Sequence, residues 1–185
     1  MEKQPSFIVE HLDKDLYAWC VLEYRNIFSF VPDVLFTNVT RNVKKLGNLP
    51  CDKASVASLP LQNACILDPA AEKTFVPDDK FSTLIFGGIL GNAPAQGRTK
   101  ILLSAKMDFP LRNLGKDQLS TDTAVLVAKK IMEGAPLERL EFVKGLEIPM
   151  REGESVILPY KYLVENGKPL LTPGIVKLLK RKKGF

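Results

Sequence analysis

Phe81-Ser-Thr-Leu-Ile-Phe86-Gly-Gly-Ile-Leu-Gly91 is the stretch on which the fold class turns. Its first half reads as a buried strand, and the strand breaks off in Gly87-Gly88, with three glycines in residues 87–91. Similar short apolar runs lie on either side. Phe7-Ile-Val-Glu-His11 reads as a first strand, Val34–Thr37 as a second, and Ala64-Cys-Ile-Leu67 as another, stopped by Asp68-Pro69. Leu111–Leu114 is a short strand candidate. Amphipathic stretches separate these runs. That alternation predicts an α/β fold.

The first helix is expected to be capped by Asp13 or Asp15 and to run to about Phe30, with Leu16, Trp19, Cys20, Ile27 and Val31 at helical spacing. A short helix is expected near Thr40–Leu46 and another over Lys100–Lys106, while residues 47–63 give no clear pattern. The strongest helix starts at Ser120 or Thr121, continues through Ala124–Met132, and stops at Gly134-Ala-Pro136. Leu140–Lys144 and Val156–Val164 read as strands, with Glu165-Asn-Gly-Lys168 as a hairpin turn. Pro173 opens a last helix. Residues 1–185 read as one domain, with 174–185 as a basic C-terminal helix and tail.

Composition excludes several classes. The chain is 45% hydrophobic and 25% charged, as ordinary globular proteins are. No apolar run is long enough to cross a bilayer, and the first residues lack the pattern of a signal peptide. Cys20, Cys51 and Cys65 are odd in number and widely spaced, and His11 is the sole histidine. Reduced thiols in a cytoplasmic protein are expected, with no zinc site and no histidine-based triad of the G-x-S-x-G kind. The net charge of +5 is carried by the end of the chain, where Lys177, Lys180, Arg181, Lys182 and Lys183 leave the remainder balanced. This tail fits either an RNA or ribosome contact or a solvated helix end.

Asp68-Pro69, Gly87–Gly91 and Leu114–Ser120 all follow strands, where open α/β sheets bind ligands. The helix after Ser120 is expected to offer free N–H donors to an anionic group such as a carboxylate. The glycines meet neither the G-x-G-x-x-G dinucleotide fingerprint nor a P-loop, and a G-G-x-x-G segment also occurs in tight turns.

Ile8-Val-Glu-His-Leu12, Leu22-Glu-Tyr24, Ile66-Leu-Asp-Pro69, Phe86–Gly91, Gly97-Arg-Thr-Lys100, Leu119-Ser-Thr-Asp-Thr-Ala124, Leu158-Pro-Tyr-Lys-Tyr162 and Gly167-Lys-Pro169 occur in this order along the chain. Together they resemble the SPOUT protein arginine methyltransferase family, whose best-known type modifies a small-subunit ribosomal protein. The middle block also resembles SPOUT guanine-N1 tRNA methyltransferases. The resemblance implies a SPOUT-type parallel sheet flanked by helices, with a deep trefoil knot in the C-terminal segment, and S-adenosylmethionine as cofactor.

Carried over residue by residue, it implies a cofactor site of Leu67, Asp68, Pro69, Phe86, Gly87, Gly88, Gly91, Leu114, Gly115, Gln118, Leu119, Ser120 and Thr123. Related enzymes commonly place an aspartate just after the glycine loop. Here Asn92 follows Gly91, and an amide cannot act as a general base. Glu10 is then the carboxylate expected to clamp an arginine guanidinium, and His11 beside it is either a further catalytic candidate or a structural histidine. Glu23 is a weaker candidate, and Arg98 a catalytic-site candidate as partner for the cofactor carboxylate or an anionic substrate. The leading expectation is methylation of an arginine on a ribosomal or other protein. RNA base methylation and a catalytically weak ribosome- or RNA-binding module, touching RNA through Lys180, Arg181, Lys182 and Lys183, are the alternatives. The resemblance allows a monomer or a homodimer.

Overall fold

The computed structural model describes residues 6–89, 98–151 and 153–181. Among them five strands form a parallel sheet: β1 (Phe7–His11), β2 (Val34–Thr37), β3 (Ala64–Leu67), β4 (Thr83–Gly88) and β5 (Leu111–Arg112). Their spatial order is β2-β1-β4-β3-β5, so β4 is inserted between β1 and β3.

The apolar runs are continuous because both faces of this sheet are buried. Phe7 and Val9, Cys65 and Leu67, and Leu84 and Phe86 point to one face, where they meet α1 (Ala18–Phe30) and α3 (Thr121–Met132). Ile8, Ala64, Ile66 and Ile85 alternate to the other face and pack with Val56 and Leu103. Leu103 links α2 (Arg98–Leu102) to a 3-10 turn at Ser104–Lys106, and Val56 opens another 3-10 turn, Val56–Ser58.

The first helix starts later than expected. Tyr17, not Asp13 or Asp15, precedes its first turn, and no side chain caps it. The two aspartates sit in the turn between His11 and the helix, which buries Leu16 completely. The expected short helices also contract. Val43–Leu46 is a single 3-10 turn, and Lys100–Lys106 divides into the end of α2 and the following 3-10 turn.

The stop after α3 is as expected. Gly134 takes φ +99°, its N–H donates to Ile131, and Ala135 N–H donates to Lys130, closing a Schellman motif.

The C-terminal strands are longer than expected. β6 (Phe142–Arg151) and β7 (Glu154–Glu165) form an antiparallel hairpin, extended by β8 (Lys168–Pro169). The pairing register shifts between Lys144 and Leu146, where Gly145 bulges, and Pro149 is tolerated because β6 is an edge strand. Leu158, Tyr160 and Tyr162 pack with Trp19 of α1 and with Leu179 of α4 (Ile175–Arg181).

Candidate active site

The sheet register gathers the site. Glu10 lies opposite Thr37 on β2 and Gly87 on β4, His11 opposite Gly88, and Leu67 opposite Phe86. All lie at the carboxyl ends of parallel strands, the edge at which Asp68-Pro69 and the loop after β5 also begin.

Glu10 is 4% exposed and already well held. Oε2 accepts from Thr37 Oγ1 at 2.5 Å and from Val56 N–H at 2.9 Å, while Oε1 accepts from Ser55 Oγ at 2.6 Å. The free bidentate clamp expected of it is therefore not what the sheet edge holds. Three donors fix the carboxylate, and a carboxylate has about four acceptor positions, so acceptor capacity remains only at Oε1. Glu10 also lines a cavity of about 280 Å³ with Leu12, Asn38, Leu103 and Met107.

His11 is buried to the same extent. Its Nδ1 lies 2.8 Å from the Tyr24 hydroxyl, and Nε2 is buried without a hydrogen-bond partner among the described residues. Burial lowers its pKa, against opposing contributions from Asp13, the Asp15 backbone and Glu10. Tyr24 titrates well above its ordinary range, chiefly through burial, so its hydroxyl keeps its proton. Asn38 anchors the same turn by donating to the His11 carbonyl at 2.7 Å. The paired glycines have a packing reason as well as any ligand role. A β-carbon on Gly88 would collide with the Tyr24 hydroxyl oxygen, and one on Gly87 would stand 2.9 Å from Leu12 Cδ1.

Asp68 is also engaged rather than open. Its Oδ2 accepts from Ser104 Oγ at 2.5 Å and Oδ1 from Ala70 N–H at 2.8 Å. It thereby ties β3 to the turn after α2, while Pro69 is exposed.

The loop after β5 is shaped from within. Buried Asn113 donates to the Ala71 carbonyl, and its Oδ1 accepts from Gly115 N–H at 3.0 Å. Lys161 N–H on β7 donates to the Gln118 carbonyl at 2.9 Å, and Leu119 bridges to Lys161. Asp117 ion-pairs with Lys144 and Lys161 of the hairpin. Leu67, Phe86 and Leu114 share one buried apolar cluster, and Leu119 packs against it.

The N-terminus of α3 corrects another expectation. Thr123 N–H is taken by Asp122 Oδ1 at 2.9 Å, and the Thr121 amide interacts with the Glu23 carboxyl. The protein's own carboxyls thus occupy donors expected to meet a ligand anion. Ser120 Oγ stands 2.8 Å from Asp122 Oδ1 and 2.7 Å from Thr123 Oγ1, so both predicted site side chains belong to this network. Asp122 Oδ2 further accepts from Asn26 Nδ2 at 2.8 Å and Thr172 Oγ1 at 2.7 Å.

Glu23 is fully enclosed. Burial, and then the nearby Asp122 charge, raise its pKa well above the carboxylate range, while Trp19 and Thr121 partly offset them. It is no surface charge but a carboxyl enclosed on α1 beside Trp19 and Thr121. Asp122, Asn113 and Tyr24 are the organising residues that motifs alone do not single out. Asp122 and Tyr24 lie inside the quoted motifs, but side-chain partners up to 96 residues away define their roles.

Gly91 and Asn92 fall outside the described residues, as do Lys182 and Lys183. Arg98 opens α2. Burial raises the Cys20 and Cys65 thiols to about 12, which makes them poor nucleophiles. Among the described residues no group of histidine, cysteine and acidic side chains could hold a metal, and no helix is long and apolar enough to cross a membrane.

An all-parallel sheet with its fourth strand inserted between the first and third, and a shaped loop running from β5 into α3, places the chain among SPOUT methyltransferases. The family model described as protein arginine N-methyltransferase SFM1-like matches residues 6–184, and the chain belongs to that family. It is 29% identical over 201 residues to protein arginine N-methyltransferase SFM1 of Saccharomyces cerevisiae, covering 95% of this chain and 94% of the yeast protein.

Crystal structures of the yeast enzyme agree. The complex with SAH is 29% identical with a TM-score of 0.85, over 95% of each chain. The complex with SAM is 27% identical with a TM-score of 0.86, over 95% of this chain and 90% of that one. The dual-specific Trm10 of Thermococcus kodakaraensis, 15% identical with a TM-score of 0.55 over 73% of this chain and 96% of that one, shares the fold alone.

Proposed function

We propose that this protein transfers the methyl group of S-adenosylmethionine to an arginine side chain of a protein, with a ribosomal protein as the acceptor class. The observation that carries this reading is the family match along residues 6–184, joined to likeness with relatives solved with SAM and SAH. The colinear match also supports a trefoil knot in the C-terminal segment. Free thiols at Cys20, Cys51 and Cys65 accord with a cytoplasmic location.

S-adenosylmethionine, when bound, supplies an electrophilic methyl group on a sulfonium. Leu67, Phe86 and Leu114 would wall its adenosyl part, with the backbone of residues 115–119 supplying polar contacts. A guanidinium carries its proton far above neutral pH, so its nitrogen must shed one proton as it gains the methyl. Glu10, pinned by Thr37, Ser55 and Val56, offers the remaining acceptor position of Oε1 to a guanidinium N–H entering the cavity beside it. Three donors hold the carboxylate in place before the substrate arrives, which lowers the cost of orientation.

Incubation with methyl-labelled S-adenosylmethionine and a ribosome-containing extract tests this. Label is expected in a protein band, and acid hydrolysis should return methylarginine. Label that vanishes with ribonuclease and survives protease would replace the reading with RNA base methylation. Failure to bind the methyl donor in calorimetry would replace it with a binding module.

A further inference from the structure

A groove of about 500 Å³ runs between α1 and α4, away from the sheet edge that holds Glu10. Leu22 and Leu178 are among the residues of its apolar floor, and Arg25, Lys45, Lys177 and Arg181 stand around it. Among the described residues no acidic side chain lines it. Two of its cations are held by backbone carbonyls rather than by carboxylates. Arg25 Nη2 donates to the Lys45 carbonyl at 3.0 Å, and Lys45 Nζ donates to the Leu16 carbonyl at 3.0 Å. Among the described residues, none of the four makes an ion pair with a carboxylate.

Four like charges around an apolar floor select an occupant with two properties. It must bring negative charge to the rim, because like charges held close attract a counter-charge, and a neutral partner would desolvate them without compensation. It must also bring apolar groups, because the floor gains nothing from charge alone. RNA satisfies the first condition and not the second. Single strands gain much of their affinity by stacking bases on aromatic rings, and among the described residues no aromatic side chain lines the groove. An acidic peptide with apolar side chains satisfies both. Carboxylates suit the guanidinium forks of Arg25 and Arg181, and the volume takes one or two large side chains.

We infer that the groove between α1 and α4 is a docking surface for an acidic segment of a partner protein, one carrying one or two large apolar side chains flanked by aspartate or glutamate. This surface is separate from the methyl-transfer site, and the inference stands without the reading of that site.

Fluorescence anisotropy with three labelled probes tests it: a short peptide with Leu and Phe set among glutamates, a polyglutamate of equal length, and an oligouridylate of equal length. The amphipathic peptide is expected to bind saturably and at least about tenfold more tightly than polyglutamate. Arg25→Glu and Lys177→Glu, both at exposed positions, should each weaken it by about tenfold or more while the circular-dichroism melting curve stays in place. Three results overturn the inference: no saturable binding of the amphipathic peptide, equal binding of polyglutamate, or tighter binding of the oligouridylate with the same loss in Lys177→Glu. Binding unaffected by both charge reversals overturns it as well.

Discussion

The Tyr24 hydroxyl stands 2.8 Å from His11 Nδ1 and fills the space that a side chain at position 88 would need. One contact therefore links the first strand, the first helix and the glycine pair that ends β4. Gly88→Ala should destabilise the protein by about 1–3 kcal/mol through overpacking, since the new methyl would meet both the Tyr24 oxygen and Val9 Cγ1. Tyr24→Phe removes the nearer obstacle but leaves His11 Nδ1 without its partner. The double variant should thus be more stable than the sum of the single losses, with a coupling of about 0.5 kcal/mol or more by denaturant unfolding. Strict additivity would mean that the two residues do not compete for this space.

The parts of this design legible in the sequence are those buried on two faces. Phe7–His11, Ala64–Leu67 and Phe81–Phe86 each read as strands because a parallel sheet under helices needs unbroken apolar runs. The hairpin is less legible, since Gly145 and Pro149 interrupt β6 in ways an edge strand tolerates. The strand-end loops can be located along the chain, but the work of their acids cannot. Glu10 reads as a free clamp because Ser55 and Val56, about 45 residues further on, carry no pattern that announces them as its donors. Asp122 sits in a quoted motif, yet its bond to Asn26 spans 96 residues. Periodicity reports which face is buried; it carries no information about which distant donor meets a buried carboxylate.

Glu10→Gln separates positioning from chemistry. An amide has one acceptor oxygen and brings two donors toward Thr37, Ser55 and Val56, so at least one existing bond is lost. Stability should fall by about 1–3 kcal/mol, while methyl transfer falls by about a hundredfold or more. Binding of the methyl donor in calorimetry should stay near the wild-type value. A variant with full activity and the same loss of stability would reduce Glu10 to a structural pin.

The Glu23 carboxyl gives the protein a pH signature. Its folded pKa is raised above the ordinary value of 4.5, so the native state binds its proton more tightly than the unfolded chain does. Stability from this group is complete below the unfolded pKa and is lost as pH rises toward the folded one. Glu23→Gln removes that loss while keeping an oxygen for Trp19 and Thr121. The variant should gain in melting temperature relative to wild type at pH 8, and gain less at pH 5. His11 titrates in the opposite sense, its depressed pKa costing stability as pH falls through the unfolded value of 6.5, but it is common to both proteins and cancels in the difference. An equal change in melting temperature at both pH values would show that Glu23 is not the group responsible.

Asp122 offers the sharpest test of how the loop between β5 and α3 keeps its shape. Its two oxygens serve Ser120, Thr123, Asn26 and Thr172, joining the end of the β5–α3 loop to α1 and to the segment before α4. Asp122→Ala strands these donors in a buried setting, where each unmet partner costs about 1–3 kcal/mol before relaxation. A loss of about 3–5 kcal/mol is expected, comparable to breaking a buried charged network. Asp122→Asn keeps one acceptor oxygen and should lose less. The discriminating measurement is methyl-donor affinity at a temperature where each variant remains folded. If the network shapes residues 114–120, affinity should fall in the order wild type, Asn, Ala, even for molecules that are fully native by circular dichroism. Stability losses with unchanged affinity would place Asp122 in the scaffold between α1 and α3 and leave the loop to Asn113, Gln118 and the hairpin.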